Sequence, residues 1–154
     1  MEKFRNKYRI PSARLQTWDY GSNAAYFITI CTAHREHYFG EITNKMQLSE
    51  IGESAKKYWY EIPNHFPFVE LGAFVVMPNH VHGIIIINKT DTDTNHRTAA
   101  ASKKWKPATL GVIINQYKRI VTIQSRKIHT DFAWQTRFHD HIIRNNKSFN
   151  QISE

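Results

Sequence analysis

Hydrophobic residues recur along this chain at two spacings, and each spacing marks an element. In AYFITICT (Ala25–Thr32) aromatic and β-branched residues crowd together, which predicts a buried strand. A short hairpin over His37–Glu41 and the segment around Met46 is expected to follow it. Ser49 is placed to cap a helix running to about Glu61, with Glu53 in its first turns and Pro63 ending it. VELGAFVVM (Val69–Met77) and HVHGIIII (His80–Ile87) are apolar runs separated by Pro78 and Asn79, which predicts an antiparallel pair. Residues 88–104 show no hydrophobic period and are expected to form a long mobile loop. Thr109 then caps a helix through about Lys127, in which Leu110, Ile113, Ile114, Tyr117, Val121, Gln124 and Ile128 share one face. Phe132–Phe138 reads as extended, and Ser148 as the cap of a short final helix.

Composition narrows the class. At 154 residues, 41% hydrophobic and 22% charged, the chain suits one domain with its own core and is too short for a (β/α)₈ barrel. Its longest apolar run, Ile84–Ile87, falls far below the roughly 20 residues of a membrane helix. No apolar stretch follows the basic start, so no secretory signal is expected. The single cysteine, Cys31, precludes an internal disulfide framework or a Cys-rich zinc site. A cytoplasmic protein is expected.

Charge adds a partner. The net charge is +8, and residues 103–127 hold seven basic groups (Lys103, Lys104, Lys106, Lys118, Arg119, Arg126, Lys127) and no acid. Residues 1–22 add five basic groups against two acidic ones. A basic block interleaved with Trp105 and Tyr117 suits a polyanion such as nucleic acid better than a membrane, because the helix needs its apolar face for the core.

The sharpest chemical feature is His80 and His82. Two residues apart on a strand, they point to the same side about 6.6 Å apart at Cα, close enough for two imidazoles to share a divalent ion. Spacing alone leaves open a pair of ordinary hydrogen-bonded histidines. Ile84 stands where a His-x-His-x-Asp hydrolase needs an acid and a histidine-triad hydrolase needs a third histidine. Residues 85–88 lack the glutamate of a cupin, and the six glycines form no phosphate-cradling loop for a small-molecule phosphohydrolase. Tyr117, on the inward stripe of a basic helix, is either core or a nucleophile. A phenol titrating near pH 10 attacks phosphorus only with help from a metal and cations. FHDH (Phe138–His141), flanked by Arg137 and Arg144, reads as surface, a phosphate-contacting loop or a source of a further ligand.

Together, YFITICTAHREHYFGEI (Tyr26–Ile42), FVVMPNHVHGIIII (Phe74–Ile87), LGVIINQYKR (Leu110–Arg119) and FAWQTRFHDHIIRN (Phe132–Asn145) resemble a tyrosine transposase of the His-hydrophobic-His class acting on single-stranded DNA. The similarity is greatest to the REP-associated branch of bacteria. The resemblance implies an α+β fold: a single domain with an antiparallel sheet and packed helices, ferredoxin- or RRM-like. The histidine pair would lie on a central strand and the tyrosine on a helix facing it. It further implies that His80 and His82 hold Mg²⁺ or Mn²⁺, that Tyr117 attacks the scissile phosphate, and that a 3′-hydroxyl leaves a 5′-phosphotyrosine to be resolved later. Single-stranded or hairpin DNA would be gripped by Lys118, Arg119, Arg126, Lys127, Arg137 and Arg14, in a nucleoid-associated setting. Monomer and homodimer both remain open. In related enzymes a third ligand often sits where this chain has Val121; Gln124 and His141 are the remaining candidates. If the Tyr117 hydroxyl were sealed in the core or aimed at another side of the sheet, the expectation reduces to a DNA-binding module of the same fold.

Overall fold

Two apolar strands paired across Pro78 and Asn79 form the centre of the molecule. β6 (Val69–Met77) and β7 (His80–Ile87) run antiparallel, with Met77 opposite His80 and Val69 opposite Ile87. The computed structural model describes residues 23–89 and 109–143, with the backbone of 3–4 and 7–8. β3 (Ala24–Cys31) pairs antiparallel with β7 on one side and with β8 (His139–Ile143) on the other, giving a four-stranded sheet ordered β6-β7-β3-β8. Two small hairpins lie apart from it: β1 (Lys3–Phe4) with β2 (Lys7–Tyr8), and β4 (Gly40–Ile42) with β5 (Met46–Leu48).

One face of the sheet is the core. Tyr26, Ile28 and Ile30 of β3, Val81, Ile85 and Ile87 of β7, and Val69 and Val76 of β6 are buried together with residues of three helices. The first, α1 (Glu50–Tyr60), starts where Ser49 accepts the Gly52 N–H at 3.0 Å. A one-turn helix, α2 (Ile62–His65), follows it. The long helix α3 (Leu110–Ser125) packs on α1, capped by Thr109 through a longer contact of 3.4 Å to the Val112 N–H. Gly83 lets α1 approach: a Cβ there would lie 2.9 Å from both the Trp59 and Phe74 rings.

Some boundaries move. Pro63 does not end α1 but sits in the first turn of α2, where its missing N–H is harmless. The stripe of α3 ends at Ser125; Ile128, expected on it, lies beyond the helix and is 51% exposed. FHDH is largely strand β8 rather than a loop, because His139 and Asp140 continue the alternation set by pairing with β3. Of the expected 88–104 loop only Asn88 and Lys89 lie within the described residues; the final helix at Ser148 lies outside them, as does Arg14.

Candidate functional site

Alternation along β7 decides where its chemistry faces. Val81, Gly83, Ile85 and Ile87 look into the helix layer, so His80 and His82 point out of the opposite face. Both imidazoles are half-exposed, with ring centroids 5.3 Å apart, and His82 meets the edge of Phe27 at 5.7 Å. Nδ1 of His80 lies 2.8 Å from Asn79 Oδ1. An amide oxygen only accepts, so that nitrogen carries the proton and the Nε2 lone pair is left for a ligand. Burial lowers both pKa values, and for His80 the charges of His82 and then Arg35 lower it further. Neutral imidazole is the form that ligates metal.

A strained turn flanks the pair. After β3, His34 and Arg35 hold φ of 55° and 54°, a left-handed conformation unfavourable for side-chain-bearing residues. Thr32 anchors this turn: its N–H donates to the Asn79 carbonyl at 2.9 Å, and its hydroxyl is shared between the Glu36 and Asn79 carbonyls. Arg35 is thereby the cation beside His80. Nothing in the local sequence pattern pointed to Arg35, since its place beside His80 depends on a contact between segments far apart in the chain, whereas Asn79 orients its immediate neighbour and stands in the same short motif.

Tyr117 lies elsewhere. Its ring is 2% exposed, edge-on to Trp59 at 5.3 Å and tilted on Trp134 at 6.1 Å. Trp59 in turn stacks on Phe74 at 4.6 Å, on the helix side of the sheet. The Tyr117 hydroxyl donates to the Ala55 carbonyl at 2.8 Å, and burial pushes its pKa far above the ordinary phenol value. The expected meeting of phenol and imidazoles is therefore not present: sheet and core separate them. Of the third-ligand candidates, Gln124 accepts from Lys127 Nζ at 3.1 Å and His141 is exposed on β8, while Val121, at the position where relatives carry the ligand, is buried. Among the described residues no three His, Cys, Asp or Glu side chains gather into a metal site.

The basic residues divide into struts that brace the backbone and charges exposed at the surface. Lys118 Nζ donates to the Gln135 carbonyl at 2.8 Å, and burial lowers its pKa. Arg126 Nε donates to the Phe132 carbonyl at 2.9 Å. Both side chains tie α3 to the segment 132–135. Arg119, Lys127 and Arg137 are exposed. Trp134 packs with Phe39 and Phe132 and donates its indole N–H to the Lys118 carbonyl, a packing role.

No family model matches the chain. An uncharacterized protein of Haemophilus influenzae is 41% identical over 150 residues, covering 93% of this chain and 83% of that protein. The chain belongs to that protein's family. Among solved structures, a REP-associated tyrosine transposase bound to a REP hairpin superposes with a TM-score of 0.53 at 19% identity, over 99% of this chain and 68% of that one. A Deinococcus radiodurans protein provisionally named a transposase gives 0.53 at 14% identity, over 90% of this chain and 91% of that one. The fold is thus the one found in these transposase structures: a small antiparallel sheet with helices against it. No helix among the described residues is long and apolar enough to cross a membrane.

Proposed function

We propose that the protein is a DNA-binding module of transposase fold that engages hairpin or single-stranded DNA through cationic groups. The observation that carries this reading is the commitment of Tyr117 to the core, beside a net charge of +8. Ionising a phenol buried among Ala55, Trp59 and Trp134 opposes its use as a nucleophile, whereas the cations ask for a polyanion. The fold shared with a transposase that binds a hairpin agrees with this.

A second reading is favoured by the histidine pair. His80, oriented by Asn79, and His82 fit as two nitrogen ligands for a divalent ion on the open face. Nitrogen donors suit Mn²⁺ better than the oxygen-seeking Mg²⁺. Such an ion would supply positive charge to polarise a scissile phosphate. Asn79 would hold the His80 ring and Arg35 would bind a neighbouring phosphate oxygen. A cleavage reaction there would need a nucleophile other than Tyr117 in this packing.

Electrophoretic and denaturing-gel assays on a labelled hairpin with an unpaired flank test both readings. Wild type and Tyr117→Phe should bind equally, and neither should form a covalent adduct with Mn²⁺. An adduct lost specifically in Tyr117→Phe would overturn the binding-module reading and show that α3 rearranges.

A further inference from the structure

Helix α3 leaves one ridge uncovered. Leu110, Ile113, Ile114, Tyr117, Val121 and Ser125 face the core, whereas Arg119, Ile123 and Lys127 stand four residues apart on the outward side and are exposed. Lys127 lies just past the last helical residue. Arg126 nevertheless keeps helical φ and ψ of −69° and −14°, and its N–H bonds the Thr122 carbonyl at 3.0 Å, so the same screw carries Lys127 into line. At 1.5 Å per residue, Arg119 and Lys127 are about 12 Å apart along the axis, with Ile123 midway. Ile123 is 49% exposed, an apolar side chain between two cations on the face where a solvated helix carries polar ones. Lys127 Nζ donates to Gln124 Oε1, an uncharged group, so its charge stays available to a ligand. The helix itself carries no acid, and the first carboxylate beyond it in the chain is Asp131.

Cations about 12 Å apart with an apolar group between them match the major groove of B-form DNA. That groove is about 12 Å wide and admits a helix, and the thymine methyl is the apolar group on its floor. Its two lips are the phosphate backbones of the paired strands. The minor groove, at about 6 Å, is too narrow for a helix. We propose that the outward ridge of α3 lies across the major groove of a duplex stem, with Arg119 and Lys127 on the facing backbones and Ile123 against a thymine methyl. This rests on the DNA-binding reading above and adds which form of DNA α3 takes and which group on a base it reads. A single strand can reach the same two cations through its flexible backbone, but it offers Ile123 no groove floor.

The test uses the full chain and fluorescence anisotropy over a salt series. Its probes are a blunt hairpin with an all-A·T stem, the same hairpin with deoxyuridine for every stem thymidine, and a short thymidine oligonucleotide. Wild type should bind the uridine stem about fourfold more weakly than the thymidine stem, the cost of one methyl left out of the contact. Ile123→Ala, a change at an exposed site, should bind both stems equally and the oligonucleotide as wild type does. Arg119→Ala/Lys127→Ala should weaken both stems alike and reduce the log–log salt slope on the stem by about 1.8, two duplex phosphates at roughly 0.9 each. Equal binding of the two stems by wild type would overturn the proposal. So would a preference for the methyl that survives in Ile123→Ala, or a stem slope unchanged in the double variant. Wild type that binds the oligonucleotide but neither stem would also overturn it, while leaving the DNA-binding reading in place. Failure to bind any probe would instead remove that reading itself.

Discussion

Tyr117 shows how one residue's chemistry is set by what its hydroxyl touches. Its O–H satisfies the Ala55 carbonyl inside an aromatic cluster with Trp59 and Trp134. Tyr117→Phe keeps the ring and loses one hydrogen bond, so stability should fall by about 1 kcal/mol, while Tyr117→Ala should cost about 3–5 kcal/mol through the cavity it leaves. Urea denaturation of both variants measures the difference. The open-face histidines make an opposite demand. Burial holds His80 and His82 below their ordinary 6.5, so between the folded and unfolded values the unfolded chain binds more protons. Stability is then complete above about pH 6.5 and is lost as pH falls through that window. The urea midpoint of the wild type should fall more steeply between about pH 7 and pH 5 than that of His80→Gln/His82→Gln.

At the scale of elements, capping was legible because it is written in adjacent residues. Ser49 and Thr109 cap the two long helices, but not equally. Ser49 Oγ accepts from the Gly52 N–H at 3.0 Å and donates to the Tyr38 carbonyl at 2.6 Å, whereas the Thr109 contact is 3.4 Å. Ser49→Ala should therefore lower stability by about 1–2 kcal/mol and Thr109→Ala by clearly less, as thermal melts of the two variants would show. Strand pairing across Pro78 and Asn79 was equally plain. The strand character of FHDH was not, since its alternation spans too few residues and Asp140 interrupts the apolar run; β3 had to supply the partner. The left-handed turn at His34 and Arg35 gave little signal, because histidine enters that conformation more often than most residues but arginine does not, and no glycine or asparagine marks the turn.

At the scale of the described residues, exposed cations stand on both sides of the sheet, with Arg35 beside His80 on one of them. Arg119 and Lys127 are exposed on the helix layer, and His80, His82, His139 and His141 stand on the other side of the sheet. Removing two exposed cations in Arg119→Ala/Lys127→Ala should reduce the salt slope for a single strand by about 1.4, two phosphate contacts at roughly 0.7 each. Lys118→Ala should act mainly on stability, because its ammonium holds the Gln135 carbonyl. Anisotropy titrations at several salt concentrations, beside urea melts, separate the two effects.

The amino-acid order alone determined the two long helices and the long apolar strands, their caps, the tight turn at Pro78 and Asn79, and the fact that His80 and His82 share one side of a strand. These follow from periodicity and from contacts within a few residues. Which side that is, and what stands opposite it, required the tertiary structure, because a strand's two faces are equivalent until helices cover one of them. The apolar stripe that made Tyr117 conspicuous is also what draws α3 onto α1 and Trp59, and so carries its hydroxyl into the core and away from the imidazoles.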